Sequence, residues 1–536
     1  MEFYDDEAPS GSRFIRDPIH DYINLDPAIS QFVDSRAYQR LRNINQLAAC
    51  HYIWPSASHS RFEHCLGVYH LARKMVKHLQ SQQPDLNIDE REVFCVSVAG
   101  LCHDLGHGPW SHAWDGLFMP KAAPGKPAWK HEQGSEMMFD FLLRDNDIKM
   151  DEKDVIFIKA LIRGDHSRCP TEKPFLFDIV ANERNGIDVD KFDYILRDVF
   201  MIGDKGNLSM TRLIESARVI EGQICYEIKN ADQIYELCYN RFSLHKRIYN
   251  HKTTRAIEHM IVDALLAAEP VLKFTEDVFI PEKFLYLTDD LMALIERTTQ
   301  PELKVSRDII TRIKLRQLYK MVDNKTFEWA HFDLCRQYFT PAKIVSAAKE
   351  LARDPASGLS SPEHGAESLT QEDVLADFCT LHYGKKDKNP LDTVKFYSKR
   401  SPNVSYHPKP GDVSMLVPTC FGEILLRVYT KKPEFFGLVQ AGYRQLLQDF
   451  PAELGETKSE SEEPETVAAR TGNDGLATPP REQSTPPIIT PKSPGATKRK
   501  VSASPRTGSW DNNAFTTVPL GYNCSPTKKK RKLEHD

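Results

Sequence analysis

The sequence lacks the features that mark several large classes of protein. It contains no run of about 18 apolar residues, the length that a membrane-spanning helix needs. Its N-terminus, MEFYDDEAPS, is acidic and has no apolar stretch of the kind found in a secretory signal. The 11 cysteines include no C-x-x-C pair, which argues against a cysteine-ligated zinc site and against a dense disulfide framework. No internal repeat is present. We therefore expect free thiols in a reducing compartment, cytosol or nucleus, and no membrane association.

The composition divides the 536 residues into three zones. Residues 1–12 are polar, whereas residues 13 to about 450 carry nearly all the apolar periodicity and enough hydrophobic residues for a real core. From about residue 452 the chain turns acidic, then rich in proline, serine and threonine, and finally basic. Such a segment cannot bury enough apolar surface to offset its ordering entropy, so we predict a disordered tail. Residues 354–370 are predicted to form a loop or hinge.

The central zone has mainly helical patterning. Ser60 and Glu63 form the Ser-x-x-Glu pattern of a capping box. Residues 89–105 begin charged and become almost fully apolar, which predicts a buried helix that Gly106-His107-Gly108-Pro109 must end. Residues 233–268 fit either two helices or one helix buried on more than one side. Strand signals are short and peripheral, as at 224–228, so the predicted class is all-α, or α with a few small strands.

The doublet His103-Asp104 is the strongest chemical signal. It lies at the end of the predicted buried helix, where charged groups are costly unless something compensates them. A divalent transition metal compensates well, because imidazole nitrogen and carboxylate oxygen suit Fe, Mn or Zn. His64 and Asp190 are candidate partners, although alone His64 is equally a capping residue and Asp190 is more typical of a solvated loop acid. A His-His-Asp-Asp set would leave coordination positions for water and a phosphate oxygen.

Other histidines and basic residues lie close to the doublet in sequence. His107, His112 and His131 titrate near neutral pH and can donate a proton to a leaving-group oxygen, and Asp115 could orient one of them. Cations for phosphate charge are also at hand: Arg61, Lys191 and Arg241. The pattern therefore predicts a metal-dependent phosphohydrolase.

Six motifs in order make the family recognisable: RDPIHDYINLDP, SRFEHCLGV, AGLCHDLGHGPWSH, HEQGS, NGIDVDKFDY and RFSLHKRIYNHK. His64, His103-Asp104 and Asp190 resemble the metal ligands of the HD-domain phosphohydrolase superfamily. From about residue 13 to 440 the chain closely resembles the deoxynucleoside triphosphate (dNTP) triphosphohydrolases that carry a SAM domain before their HD domain in animals. This chain begins almost directly at the HD region, so we expect no SAM domain.

The resemblance implies a fold and a division of the chain. The fold would be mainly α, with an HD-domain helical core and a smaller α+β C-terminal lobe. Residues 1–12 would be a flexible N-terminus, and 13–330 the HD phosphohydrolase domain with allosteric elements. Residues 331–452 would be a lobe that contributes to oligomer and activator sites. Residues 453–536 would be a disordered regulatory tail.

The resemblance also implies a reaction, hydrolysis of a dNTP to deoxynucleoside and inorganic triphosphate by attack on the α-phosphorus. Mg²⁺ would accompany the nucleotides. His131 and Asp115 would support catalysis, and His112 would protonate the leaving 5′ oxygen. Substrate contacts would come from Arg61, His107, Lys191 and Arg241 on the triphosphate, Gln46 and Asp198 on the 3′-hydroxyl, Leu47 and Tyr249 under the sugar, and Tyr194. Without the family, Leu47 and Tyr249 are typical of ordinary helix core.

Family members assemble into homotetramers through activating nucleotides. A first activator site for GTP or dGTP would use Arg13, Phe14, Asp34, Gln39, Arg42, Arg316 and Lys320. A second site for a dNTP would use Ile53, Trp54, Arg212, Lys229, Gln233, Arg247, His251, Lys252 and Lys399. Glu227 stands where the family has arginine, and an anion there should weaken a phosphate site. On their own, these basic residues are more typical of a solvated charged face.

The tail contains signals for regulation and location. Thr478, Thr490 and Ser525 each precede proline, which suits a cyclin-dependent kinase, and each phosphate would add negative charge. Lys528 to Lys532, KKKRK, predicts nuclear import, with a cytoplasmic pool or a merely solubilising run as alternatives. By resemblance the protein would control dNTP pools and restrict viral reverse transcription. Two other functions stay open: an HD phosphohydrolase of another nucleotide, and a scaffold that binds single-stranded nucleic acid through basic surfaces such as Arg247 to Lys252.

Overall fold

The computed structural model describes residues 10–125, 129–357, 365–409 and 411–450. These residues belong to one compact unit, Met1–Gly455. The predicted tail disorder, the three phosphorylation sites, the KKKRK signal and most of the flexible N-terminus lie outside the described residues. None of the helices in the described ranges combines the length and apolar character needed to cross a bilayer.

The prediction of a mainly α fold is confirmed. The described residues form 19 α-helices, which bury most of the core. In the first half of the chain they are α1 Pro27–Val33, α2 Arg36–Gln39, α3 Arg61–Gln82, α4 Glu90–Cys102, α5 Met119–Ala122, α6 His131–Asp145, α7 Glu152–Arg163, α8 Phe177–Val180, α9 Val189–Met201, α10 Met210–Glu215, α11 Ala231–Leu244 and α12 Lys252–Leu272. Further along they are α13 Phe274–Asp277, α14 Pro281–Phe284, α15 Leu291–Arg297, α16 Lys304–Lys314, α17 Phe332–Tyr338, α18 Pro341–Arg353 and α19 Phe436–Asp449.

The helices that carry the predicted site begin where the sequence indicates, but α4 ends at Cys102, three residues before the predicted end at 105. Ser60 caps α3, and Ser60 and Glu63 form the complete capping box. Asp89 caps α4 in the same way, and the apolar residues of α4 are buried up to Cys102. The segment 233–268 contains two helices, since a π-helical turn at His245–Tyr249 separates α11 from α12.

Nine strands form three sheets in the described residues. Strands β1 Arg13–Asp17 and β2 Asp21–Leu25 pair as a hairpin. The second sheet has the order β3 Ala217–Ile220, β4 Gln223–Glu227, β7 Phe396–Ser398, β8 Ser401–Tyr406. The third is antiparallel, with β9 Gly422–Thr430 between β5 Lys320–Glu328 and β6 Val374–His382. The pattern at 224–228 coincides with β4, but β9 gives no period-two signal because seven consecutive residues of it are buried.

Two large hydrophobic cores form within the described residues, beside a small cluster of Cys379, Leu381 and Leu425. The larger core includes α3, α4, α7, α9 and α12. The smaller core lies where α17, α18 and α19 pack against the third sheet, around Phe339, Ile344, Leu426 and Tyr443. Strand β5 precedes residue 330 yet pairs with β9, which follows it; the domain division at 330/331 stays a prediction.

Candidate active site

The ends of three helices bring the predicted metal ligands together. His64 lies in the first turn of α3, His103 and Asp104 follow the last residue of α4, and Asp190 is the second residue of α9. His64 Nε2 lies 3.1 Å from Asp190 Oδ1 and 3.6 Å from Asp104 Oδ2. His103 Nε2 lies 3.4 Å from Asp104 Oδ1 and 3.5 Å from Asp190 Oδ1. The four side chains therefore converge on one point, as the sequence predicts.

These residues fit a transition metal. Ligand atoms of His64, His103 and Asp104 all lie within 4.8 Å of one another. His103 Nε2 is buried and has no hydrogen-bond partner among the described residues, and an unpartnered buried nitrogen is costly unless an ion occupies its free position. Two imidazoles and two carboxylates suit Fe, Mn or Zn. The HD site therefore has the donor set of a catalytic metal centre, and the identity of the metal does not follow from it.

A buried network holds His64 from behind. Its Nδ1 lies 2.8 Å from Asp193 Oδ2, so its Nε2 is the nitrogen that faces the ligand cluster. Asp193 also receives two hydrogen bonds of 2.9 Å from Arg197 and lies 2.6 Å from His20 Nε2. Gly67 makes room for this network, because a Cβ there would overlap Asp193 and Arg197. A carboxylate behind a ligating histidine fixes its tautomer and its ring orientation.

The electrostatics of the ligands reflect their mutual proximity. Burial opposes a positive charge on His64, yet hydrogen bonds that its ring donates to Asp190 and Asp193 raise its pKa to about 10. Burial also opposes the charge of Asp104, but His103, Arg61 and His107 hold its pKa well below the usual range. For Asp190 the neighbouring His103 and His64 outweigh burial and lower the pKa. Both carboxylates are therefore ionised and available to a cation.

A second cluster adjoins the first. His131 Nδ1 lies 2.8 Å from Asp115 Oδ2, and the His131 ring stacks on His107 with centroids 4.0 Å apart. The His112 ring lies 5.6 Å from His131 and 5.2 Å from His107. His107 connects the two clusters, because its Nε2 lies 3.3 Å from Asp104 Oδ1. The structure thus gathers all four histidines of the sequence pattern at one site.

Two histidines of the second cluster have pKa values shifted in opposite directions. Burial lowers the pKa of His131, but Asp115 more than compensates, so its pKa is raised. The pKa of His112 falls to about 3 because the ring is buried and because Arg61 and His131 add positive charge nearby. In the free protein at neutral pH, His112 is therefore uncharged.

Backbone geometry presents these histidines. Gly106 packs directly on α6, where a Cβ would overlap His131 O and Ser135 N. The turn after Gly108 has two residues in the left-handed region, Trp110 at φ 54° and Ser111 at φ 51°. Non-glycine residues rarely adopt this conformation, which is characteristic of functional sites.

Of the predicted phosphate-binding cations, Arg61 contacts a metal ligand directly, whereas Lys191 and Arg241 bond to other groups. Arg61 donates to Asp104 Oδ2 at 2.6 Å and to Ser111 Oγ at 3.0 Å. Lys191 donates to Asp188 at 3.0 Å, and Arg241 donates to His382 O at 2.8 Å. Lys191 is one residue beyond Asp190, whereas Arg241 comes from α11 and bonds to the end of β6.

The predicted sugar contacts also lie together. Tyr249 and His59 both bond to Asp198, the latter at 2.7 Å. Gln46 and Leu47 are buried, and Gln46 Oε1 has no hydrogen-bond partner among the described residues. The Tyr194 ring lies 6.4 Å from the His64 ring, which places it beside the metal ligands.

The comparisons with known proteins agree with this geometry. Residues 61–198 match the family described as HD domain, and residues 208–355 match the HD associated region. Human deoxynucleoside triphosphate triphosphohydrolase SAMHD1 is 38% identical over 484 residues, which cover 83% of this chain and 74% of that protein. The chain belongs to the SAMHD1 family of HD-domain hydrolases.

Relatives from two other organisms are also similar to this chain. The Dictyostelium discoideum SAMHD1 homolog is 37% identical over 446 residues, covering 83% of this chain and 82% of that protein. Danio rerio SAMHD1 is 39% identical over 456 residues, covering 79% of this chain and 71% of that protein. Both carry the name deoxynucleoside triphosphate triphosphohydrolase.

The residues predicted to form the first activator site fall into two groups. Arg13 bonds to Asp34 at 3.0 Å, and Gln39 accepts from Arg42 at 2.8 Å. Phe14 follows Arg13 on β1 and is 47% exposed, so it can meet a ligand. Arg316 lies between α16 and β5, where it donates to Tyr52 O, and Lys320 is the first residue of β5. The prediction that this pair serves a neighbouring subunit stays a prediction.

The residues matched to the second activator site are scattered over several contacts. Trp54 packs edge-on against His251, with centroids 5.3 Å apart, next to Ile53 and to Lys252 at the start of α12. The others lie on nearby elements. Arg212 bonds to Asn230, and Gln233 accepts from Ser209 N. Arg247 pairs with Asp204, Lys229 pairs with Glu227, and Lys399 lies between β7 and β8. Glu227 thus forms an ion pair with one of the predicted phosphate-binding lysines.

Several residues of the site have no counterpart in the sequence-based prediction. Asp193 and Arg197 support His64, His59 supports Asp198, and Asp289 bonds to the turn before His112. Asp193 follows Asp190 by three residues on α9, so helical periodicity could have placed both on one face. His59 and Asp289 lie far from their partners in sequence and give no comparable signal.

Proposed function

We propose that this chain hydrolyses dNTPs to deoxynucleoside and inorganic triphosphate. The observation that carries the proposal is the convergence of His64, Asp104 and Asp190 around the buried, unpartnered Nε2 of His103. When bound, a transition metal there would lower the pKa of a water molecule and polarise the phosphoryl group. The names of the relatives support the dNTP as substrate.

The surrounding cations would position the triphosphate. Arg61 is buried against Asp104 and faces the metal ligands, and Lys191 lies one residue beyond Asp190. Arg241 would reach the opposite end of the triphosphate from α11. Fixed cations that already face the reacting group stabilise developing negative charge without reorganising during the reaction.

His112 would give its proton to the 5′ oxygen as the bond from that oxygen to the α-phosphorus breaks. A water molecule supplies the new oxygen on phosphorus, so the products are a deoxynucleoside and triphosphate. In the free protein the pKa of His112 is about 3, because burial, Arg61 and His131 disfavour its charged form. The negative triphosphate would reverse this balance and allow His112 to take up the proton. His131, whose pKa is raised by Asp115, lies beside it.

The sugar would pack on Leu47 and Tyr249, with Gln46 and Asp198 on its 3′-hydroxyl. The free Oε1 of buried Gln46 is an acceptor that awaits a donor. An apolar wall against carbon 2′ excludes a ribonucleotide, because the extra hydroxyl would clash and be buried without a partner.

The proposal also includes activation of the enzyme by nucleotides. GTP or dGTP at the first activator site and a dNTP with Mg²⁺ at the second would assemble a homotetramer. The ion pair between Glu227 and Lys229 neutralises a lysine that the second nucleotide would need. We therefore expect activation of this enzyme to require a higher dNTP concentration than in relatives with arginine at position 227.

The proposal also includes control of dNTP pools, restriction of viral reverse transcription, nuclear location and control by a cyclin-dependent kinase. These depend on the tail signals and on the family resemblance. The exposed charge of Arg247 supports single-stranded nucleic acid as an additional partner. Binding that falls steeply with salt and survives in H103A/D104A would establish this as a separate activity.

Product analysis tests the main proposal. The metal-loaded protein, incubated with dGTP and Mg²⁺, should release deoxyguanosine and inorganic triphosphate, and H103A/D104A should release neither. His331→Ala, in the C-terminal lobe, is the matched control and should retain activity. Release of pyrophosphate alone, or hydrolysis of a cyclic or 5′-monophosphate in preference to dGTP, would refute the proposal.

A further inference from the structure

The turn that precedes His112 has an unfavourable backbone. Trp110 and Ser111 both have left-handed φ angles, 54° and 51°, although neither is glycine. A non-glycine residue in this region is less favourable than in ordinary backbone, so surrounding contacts must hold it. Because Ser111 directly precedes His112, the conformation of this turn sets the position of the His112 ring.

Asp289 supplies one of these contacts from a distant part of the sequence. It lies between α14 and α15, and its Oδ1 accepts the backbone N–H of Trp110 at 2.6 Å. Its Oδ2 accepts both the backbone N–H and the side-chain amide of Asn45, at 2.9 Å and 2.7 Å. One carboxylate therefore joins the strained turn to the segment that continues into Gln46 and Leu47.

The same two segments are joined a second time. Ser111 Oγ donates to Asn45 O at 3.0 Å and accepts from Arg61 Nε at the same distance. The buried guanidinium of Arg40 donates to Leu105 O and His107 O on the catalytic side and to Phe284 O and Leu287 O on the other. The segment 284–289 is thus attached to the catalytic loop at both ends of Gly106–Ser111.

We propose that Asp289 is a positioning residue for the reaction. It holds the Trp110–Ser111 turn in its left-handed form and thereby keeps His112 in line with the leaving 5′ oxygen. Through Asn45 it also fixes the distance between His112 and the sugar-binding residues Gln46 and Leu47. This inference rests on the proposed function, in which His112 protonates that oxygen.

A residue that merely stabilises the fold would affect all substrates and all parts of the protein alike. A positioning residue acting through His112 predicts two specific effects. The turn alone should loosen when Asp289 loses its charge, and the loss of rate should depend on how much the leaving group needs a proton. Displacements of about 1 Å in a catalytic group lower rates by about 100-fold.

The variants are Asp289→Asn and Asp289→Ser, with Asp290→Asn as the matched control. Asp290 is the exposed neighbour, and its side chain contacts only Thr288 among the hydrogen bonds of this segment. Hydrogen–deuterium exchange of the full chain should speed up about 5- to 10-fold over residues 106–114 in the Asp289 variants, as expected for the loss of one buried hydrogen bond. Exchange elsewhere, bound metal content and the exchange of D290N should match the wild type.

Kinetics distinguish positioning from general stabilisation. D289N should lower kcat for dGTP by about 10- to 100-fold, with a smaller change in KM. With a dGTP analogue that has sulfur in place of the bridging 5′ oxygen, the leaving thiolate needs no proton, so the deficit of D289N and of H112A should shrink to within about 3-fold. The double variant D289N/H112A should be no slower than H112A alone.

Unchanged exchange over 106–114, or an equal loss of kcat on both substrates, would overturn the proposal. Failure of both Asp289 variants to fold would also overturn it, because Asp289 would then belong to the general scaffold. If the wild type itself released no triphosphate from dGTP, the proposed function would fail. The exchange experiment would still decide in that case whether Asp289 holds the turn.

Discussion

Removing the carboxylate behind His64 tests whether the metal site is preorganised by the protein. Asp193 is fully buried and holds His64 Nδ1 at 2.8 Å, so Asp193→Asn replaces the charge with a neutral group of the same shape. The amide can accept one hydrogen bond, but its NH₂ must then face Arg197 or a histidine. His64 loses both the partner that fixes its tautomer and the negative charge that increases its basicity.

Two effects of different size should follow. Substituting an outer-shell partner of a ligating histidine lowers metal affinity by about 10- to 100-fold. Breaking a buried ion pair by removing one partner costs about 3–5 kcal/mol of stability, because Arg197 keeps its charge. Arg197 retains Asp17 at 2.8 Å, so we expect a loss at or below the lower end of this range.

The assay measures metal binding directly. Protein stripped with a chelator is titrated with Mn²⁺ or Zn²⁺, and bound metal is read by elemental analysis and calorimetry. Asp17→Asn is the matched control, because Asp17 binds Arg197 from the other side and does not contact His64. Asp17→Asn should lower the unfolding temperature but leave the metal Kd unchanged.

A particular result would refute this reasoning. If D193N bound metal as tightly as the wild type while losing as much stability as D17N, Asp193 would only neutralise Arg197. His64 would then be oriented by its own helix rather than by the carboxylate. Reduced affinity in both variants would instead show that the whole buried network, and not Asp193 in particular, sets the site.

Three further predictions follow from particular contacts. Gly67→Ala should lower the unfolding temperature and the metal content, measured by calorimetry and elemental analysis, because its Cβ would overlap Asp193 and Arg197; unchanged values would mean that the network has room to shift. Tyr249→Ala should reduce kcat/KM for dGTP but raise the ratio of kcat/KM for GTP to kcat/KM for dGTP, since the wall under the sugar is lost. An unchanged ratio in a competition assay would contradict the assigned role. Burial raises the pKa of Glu258 to about 7. Ionising Glu258 in the folded protein therefore lowers the free energy of unfolding. This loss is absent below the unfolded pKa near 4.5 and is complete above pH 7. Glu258→Gln should therefore gain stability over the wild type as pH rises from 5 to 8, by at most about 3 kcal/mol in denaturant unfolding, and a gain independent of pH would count against this.

The sequence predicts the reacting groups of this protein better than their supports. His64, His103-Asp104 and the histidines that follow lie in short motifs whose residue types specify metal and proton chemistry. Capping boxes at Ser60 and Asp89 fix where α3 and α4 begin, and therefore which turns face the site. Both kinds of signal are local, so they can be read without knowing the fold.

The supports depend on pairs that only the folded chain brings together. His59 meets Asp198 across 139 positions, and Asp289 meets Asn45 across 244. Asp289 has no neighbours that mark it as functional, and the motif SRFEHCLGV that follows His59 gives no indication of its partner. The nine-residue strand β9 is also hard to predict from the sequence. It is buried on both faces and therefore lacks the alternation that marks a strand.

The arrangement of helix ends at the candidate site suits both a cation and an anion. Helix α4 ends at Cys102, so its C-terminal partial negative charge lies beside His103 and Asp104 and favours a cation. Helices α3 and α9 begin at Arg61 and Val189, and their N-terminal ends favour anions. His64 and Asp190, in the first turns of those two helices, lie 3.1 Å apart, so both N-termini meet at the metal ligands. The metal-ligand side chains therefore lie where one helix C-terminus, which favours a cation, meets two helix N-termini, which favour an anion.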